Sequence, residues 1–369
     1  MKKLISIIIP TLNRPELAQA SVDSVLQQNT DTSFDLIISN NGGNKITSDI
    51  FNDQKYRGKL RYVETSTILP MTKHWEWASQ FATGDFVMML PDRRLLKQGA
   101  LDAFSRAIMA NSDCDAFCCC CDEWLYESGR IVTTQTLEKD LVITPEKILV
   151  EFERGVIDRN TLPLGLNSLV SRELICNYRE THGEYYAAIS PDFRSAFNFL
   201  SFSKKKVYVI AAPLMLTTGF NLSNGGAAFK GDNTYLKSLG DEGVFKYAPR
   251  CLEGNVWGSI FEDYLRAKNV NSKNIYFNEI INKPSMNKIM SEEMYKLFAG
   301  RLSFRAISRY TMIRKTLSQL GWRASDDFKA LISSLRSLRQ LTPNWVKKIF
   351  RLMYRARHPQ KNIMEIAGF

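Results

Sequence analysis

Ser6-Ile7-Ile8-Ile9-Pro10-Thr11-Leu12-Asn13-Arg14-Pro15-Glu16 is the stretch on which the fold turns. Its uncharged, isoleucine-rich start suits a strand covered on both faces of a parallel sheet. The polar cluster that follows, with Pro15 behind it, announces a helix start. Leu17, Ala18, Val22, Val25 and Leu26 then recur at helical spacing and form one face. Lys2 and Lys3 before the apolar run superficially resemble a secretory leader. Pro10 ends that run after six residues, so a buried first strand is the better reading.

Working outward, residues 34–39 read as a second strand, closed by the turn chemistry of Asn40-Asn41-Gly42-Gly43. Residues 61–64 read as a third strand and 72–82 as a helix stopped by Thr83-Gly84. Residues 85–90 read as a fourth strand, 99–111 as a helix and 116–121 as another strand. Strands alternating with helices at short spacing predict a doubly wound, mostly parallel α/β sheet over the first 125 residues. Ligands of such sheets sit beyond the carboxyl ends of the strands, which singles out the turns 10–14, 40–43 and 91–94. The pattern changes near residue 226. Residues 1–226 read as one α/β domain, and 227–369 as a basic, helical C-terminal region.

Composition bounds the remainder. The chain has 369 residues, 44% of them apolar, enough to bury a sizeable core. Of the formal charge of +11, residues 301–369 carry +12 and the other 300 residues −1. Past Pro343, Trp345, Ile349, Leu352 and Met353 form an apolar stripe beside Lys347, Lys348, Arg351 and Arg355. Such a helix either lies on an anionic membrane surface or packs on its own domain with a solvated basic face. No nucleic-acid motif accompanies the charge, so nucleic acid is not an expected partner. Seven cysteines, four of them consecutive at 118–121, are not a disulfide framework; they point to a reducing, cytoplasmic setting. Neighbours on a strand face opposite ways, so that run reads as small buried residues and not as a metal site. No stretch has the roughly 18–20 apolar residues of a membrane span, and membrane association would be peripheral.

The turns singled out above carry a family resemblance. The segment 6–14 followed by a helix, Ile38-Ser39-Asn40-Asn41-Gly42-Gly43, and the approach Ala82-Thr83-Gly84-Asp85 to Pro91-Asp92 resemble, in order and spacing, family 2 glycosyltransferases of the GT-A fold. Met71 to Ala78, Asn167 to Glu173, Ser190 to Phe197 and Ser223-Asn224-Gly225 are similar to a bacterial surface-polysaccharide branch of that family. The resemblance covers residues 4–226. It implies inverting transfer from a nucleotide-sugar donor to a glycan or lipid-linked acceptor hydroxyl, without a covalent enzyme intermediate. Uridine is the first expected base, with guanine, thymine and cytosine open.

The resemblance places Pro10, Thr11, Asn13, Arg14, Asn40, His74, Asp92, Arg93 and Arg94 at the nucleotide sugar, and Asp192 at the acceptor as general base. The chemistry wants these types: a departing diphosphate needs its negative charge neutralised, and the attacking hydroxyl must lose a proton. Two positions depart from the family. Its Asp-x-Asp metal motif reads Asp92-Arg93-Arg94, so Mg2+ or Mn2+ on Asp92 competes with guanidinium groups that replace the metal's charge, and with loss of activity. Asn40 stands where the family commonly has Asp. Some residues also have plainer readings: Asp192 as a capping carboxylate, His74 as a structural hydrogen bonder, Trp75 and Trp77 as packing, and Asp122-Glu123 as a solvated strand end. The rival reading of the whole chain is a catalytically degenerate GT-A-like nucleotide-sugar binder or scaffold.

Overall fold

The structure is a computed structural model that describes residues 4–125, 129–133, 137–154, 162–218, 223–229, 232, 234–240, 244–271, 283–299, 304–320 and 322. The basic stripe expected past Pro343 lies outside the described residues. The N-terminal half runs β1 (Ile5–Thr11), α1 (Pro15–Leu26), β2 (Phe34–Asn40), α2 (Lys45–Phe51), β3 (Arg61–Glu64), α3 (Met71–Ala78), β4 (Phe86–Met89), β5 (Arg94–Leu96), α4 (Ala100–Ala110) and β6 (Cys114–Leu125). Then come β7 (Arg130–Val132), β8 (Leu141–Ile143), α5 (Pro145–Arg154), β9 (Ser168–Ser171), α6 (Arg172–His182), α7 (Pro191–Phe202) and β10 (Lys206–Thr218). Five helices follow: α8 (Asn224–Phe229), α9 (Thr234–Ser238), α10 (Val256–Val270), α11 (Lys283–Ala299) and α12 (Phe304–Gln319).

The sheet order is β3-β2-β1-β4-β9-β6-β10-β5, with β7 on β6 and β8 on β10. The run β3-β2-β1-β4 is parallel, as expected from the alternation. Three features differ from the sequence reading. Strand β9 inserts antiparallel between β4 and β6, and the three-residue β5 pairs antiparallel with β10. The helix expected over 72–82 ends at Ala78 and tightens into a 3-10 turn over Ser79–Phe81.

Ile5, Ile7 and Ile9 of β1 belong to one buried cluster, and Ile8 to the other, as a strand covered on both faces requires. The cysteine run obeys the same alternation: Cys118 joins the first cluster, Cys119 and Cys121 the second, and all four are buried thiols outside any disulfide. Gly84 is where the β4 approach crosses β1. A Cβ there would sit 2.6 Å from the Ser6 nitrogen and 2.7 Å from the Ile5 carbonyl carbon, both backbone atoms that cannot give way. Trp75 and Trp77 pack as expected, Trp75 edge-on to Tyr186 and Trp77 edge-on to Phe81. The helices past residue 226 share the cluster of Ile8 and Phe197 through Leu236, Trp257, Ile260, Tyr264, Ile289 and Ile313. Among the described residues no helix is long and apolar enough to cross a membrane.

Candidate active site

Parallel register delivers the first residues of the site. Thr11 stands opposite Asn40 at the carboxyl ends of β1 and β2, and Leu90 donates its N–H to the Ile8 carbonyl at 2.8 Å, which carries Pro91-Asp92 past the sheet beside Thr11. Asp92 Oδ2 there accepts from Thr11 Oγ1 at 2.9 Å and pairs with Arg14 Nε at 3.0 Å. Its Oδ1 is buried with no hydrogen-bond partner. Burial pushes the Asp92 carboxyl above the usual range, against the pull of Arg14, Thr11 and Arg93.

Arg93 donates to Thr217 Oγ1 of β10 at 3.3 Å. Its guanidinium is lowered to about 10 by burial and by the neighbouring Arg94 and Arg14, while Asp192 and Asp92 act the other way. Arg94 is buried and donates through Nη1 to the Leu166 carbonyl at 3.1 Å and to Cys121 Sγ at 2.9 Å, leaving Nε unpartnered. Three guanidinium groups therefore gather where the family motif has carboxylates.

Asp192 lies in the first turn of α7, which begins at Pro191. Burial raises its carboxyl, while the backbone N–H groups of Phe193 and Asp192 and the charges of Arg94 and Arg93 oppose the rise. Both readings of this residue thus have a physical basis: the carboxylate meets first-turn amides and lies in the field of the two arginines. The neighbouring loop approaches closely because position 165 is glycine; a Cβ on Gly165 would meet Ser195 Oγ at 2.9 Å and Trp75 at 3.1 Å.

A second polar group forms at the ends of β2 and β3. Asn40 Nδ2 donates to the Asn44 carbonyl at 3.0 Å and to Tyr62 Oη at 2.8 Å, and Tyr62 in turn donates to Glu64. Both amide hydrogens are committed, and Asn40 Oδ1 is left buried without a partner. Asn13, at φ +54°, accepts from Asn44 Nδ2 at 2.9 Å; Asn tolerates this left-handed backbone better than most residues. Tyr62, Glu64, Asn44 and Thr217 were not singled out from sequence. Tyr62 and Glu64 had a signal, being alternate residues of an expected strand and thus on one face; Thr217 had none.

His74 makes the structural hydrogen bond of its plainer reading. It is buried, with Nε2 2.7 Å from Ser39 Oγ, and burial lowers it to about 4. Above pH ~6.5 both folded and unfolded histidine are neutral; below it the unfolded chain takes up a proton that the fold excludes. Stability should therefore fall by up to about 3 kcal/mol as pH drops from 6.5 towards 4. Comparing wild-type and His74→Gln melting across that range isolates the effect: the wild type should lose more on acidification, and parallel curves would refute a neutral buried imidazole. Asp122 is also not a solvated strand end, being buried and paired with Lys97.

A divalent cation held by the protein needs several oxygen or nitrogen ligands. Among the described residues no group of three His, Cys, Asp or Glu side chains converges. Asp92 offers one unpartnered oxygen beside the guanidinium groups of Arg14 and Arg93, a donor set that does not fit a protein-held Mg2+ or Mn2+.

Comparison with known proteins bears on this site. No curated protein matches the sequence. The 1–349 fragment of S. aureus TarS in complex with UDP-GlcNAc superposes with a TM-score of 0.50 at 14% identity, covering 87% of this chain and 93% of that one. A mannosyltransferase from Pyrobaculum calidifontis in complex with GDP-Man and Mn2+ aligns with a TM-score of 0.48 at 14% identity, over 97% of this chain and 87% of its own. A longer TarS chain gives 0.48 at 14% identity, with 80% of this chain covered but only 44% of the longer one. At such identities the likeness concerns the fold, which is of the GT-A type. Residues 6–92, from the first strand to the carboxylate that Thr11 and Arg14 hold, match the model of glycosyl transferase family 2.

Proposed function

We propose that the chain is an inverting glycosyltransferase that moves a sugar from a nucleoside-diphosphate donor to a hydroxyl of a glycan or lipid-linked acceptor in surface-polysaccharide assembly on the cytoplasmic side of a membrane. The observation that carries this is the gathering of Arg14 and Arg93 about Asp92, with the raised carboxyl of Asp192 in the field of Arg93 and Arg94. Asp192 takes the proton of the acceptor hydroxyl, whose oxygen attacks the anomeric carbon as the bond to the diphosphate oxygen breaks. A carboxylate made more basic by burial suits that task. The negative charge that builds on the diphosphate falls to Arg14 and Arg93, and guanidinium suits phosphate oxygens.

The donor we propose carries uridine. With both Asn40 amide hydrogens spent on Asn44 and Tyr62, Oδ1 is an acceptor in want of a donor. The ring N–H of uracil supplies one, as do thymine and guanine; cytosine and adenine present an acceptor at the corresponding ring position. Thermal shift and donor turnover over a panel of nucleotide sugars, with and without EDTA, test the reading. A uridine donor should stabilise and turn over, a cytidine one should do neither, and turnover should survive the chelator. Loss in EDTA with recovery in Mn2+ would move the charge-neutralising role to a cation on Asp92 Oδ1. Binding with no transfer to any acceptor would favour the non-catalytic rival, to which the Arg94 contacts with Leu166 and Cys121 already lend some support.

A further inference from the structure

Asp192 is fed into the site by residues 183–190, and buried acids hold this segment from two sides. On one side Glu76 of α3 pairs with Arg179 and accepts through Oε2 from the N–H groups of Tyr185 and Tyr186, each at 2.9 Å. On the other, Asp263 of α10 is wholly buried; its Oδ1 accepts from the Ile189 N–H at 3.1 Å and its Oδ2 from the Ser190 N–H at 2.7 Å. Tyr235 of α9 donates to the Ile189 carbonyl, and Arg194 of α7 donates to the Asp263 carbonyl at 3.1 Å. Both backbone hydrogen-bonding groups of Ile189 are thus taken by residues beyond 226. The preceding residue, Ala188, sits at φ +106°, a conformation an L-residue keeps only when its surroundings impose it.

We propose that Asp263 and Tyr235 are positioning residues for transfer, so that the helices beyond residue 226 set the place of the Asp192 carboxylate by gripping the Ile189–Ser190 turn. This rests on the reading of Asp192 as the base. A carboxylate bonded to two successive amides fixes both peptide planes, and the base stands only two residues further on. Geometry of this kind matters to rate because a base acts within hydrogen-bond reach, and a misplacement of about 1 Å costs on the order of 10²-fold.

The test uses the full chain with a donor and acceptor that it turns over. In Asp263→Asn an amide N–H opposes one of the turn's N–H groups, and kcat per nucleotide-binding site should fall about 10²-fold while donor KM and nucleotide Kd stay within about two-fold. Tyr235→Phe should lose kcat in the same pattern, about ten-fold or less, and it carries the comparison if Asp263→Asn does not fold. In an Asp192→Asn background neither change should lower the residual rate further, because each acts through that carboxylate. Unchanged kcat per binding site, or losses that multiply undiminished in the Asp192→Asn background, would overturn the proposal while leaving the base assignment standing. Full activity in Asp192→Asn alone would overturn both, so the two failures are told apart by the single variant.

Discussion

Asp192→Asn should lower kcat by about 10²- to 10⁴-fold, the range that a positioned general base contributes, while nucleotide affinity stays close to that of the wild type. The amide keeps the shape of the side chain but cannot take a proton from the acceptor hydroxyl. The diphosphate contacts proposed for Arg14 and Arg93 remain in place, so the loss belongs in kcat. A second signature accompanies it. Burial lifts the Asp192 carboxyl above its ordinary value, the amides of its own turn and the arginines pulling against that rise. In a raised carboxyl the ionised, proton-accepting form is depleted as pH falls through a higher value than usual. The acid limb of the kcat profile should therefore lie above the ordinary carboxylate range, near 4, and disappear in the variant. A variant with wild-type kcat, or with the same acid limb, would return Asp192 to the role of a capping carboxylate.

Asp92→Ala should cost both stability and turnover. The carboxylate is the common partner of Thr11 and Arg14 and lies in the field of Arg93, so its removal leaves cations facing one another with no anion between them. Removing one member of a fully buried ion pair costs about 3–5 kcal/mol; here the Arg14 side chain is 40% exposed, so about 2 kcal/mol is expected. Thermal melting checks this. Transfer should fall by at least about 10²-fold, because the arginines that meet the diphosphate lose the group that orients them. Measured turnover near the wild-type rate would sink the assignment of this cluster to the donor. The comparison with EDTA separates the two ways in which Asp92 can act. If the wild type ignores the chelator while Asp92→Ala is inactive, Asp92 works by holding guanidinium groups, not by holding a cation.

These expectations set different parts of the protein against each other. The proposed nucleotide side is built from β1, β2, β3 and the turn after β4, segments contiguous within the first 94 residues. The proposed acceptor side is assembled from residues far apart in the chain: Gly165 allows the close approach, Asp192 supplies the carboxylate, and Asp263 and Tyr235 hold the turn before it. A substitution past residue 226 is accordingly expected to act on kcat, a consequence that the location of the family match at residues 6–92 would not suggest.

The first part was legible because its information is local. The apolar run at 6–9, the Pro15 helix start and the turn at Asn40-Asn41-Gly42-Gly43 specify strand, helix and turn through backbone preference and side-chain periodicity, which neighbouring residues carry among themselves. The same locality made the cysteine run readable, since alternation along a strand sends Cys118 and Cys119 into different clusters whatever lies beyond them. Motif order placed Thr11, Asn40 and Asp92 at strand ends, and parallel register then brought Thr11 opposite Asn40 and close to Asp92. What stayed hidden depended on long-range pairing. Nothing in Ser168–Ser171 says that it inserts antiparallel between β4 and β6, because both of its edges are paired with strands distant in the chain. Whether His74 met a ligand or Ser39, and whether Asp122 met water or Lys97, was equally undecidable from local pattern, since burial is a property of what packs on top. The residue types and their order along the first 94 positions determined the half of this protein proposed to meet the nucleotide sugar. Only the tertiary structure decided which carboxylate stands among the arginines and which helices hold it there, because a buried charge is placed by groups that reach it from elsewhere in the chain.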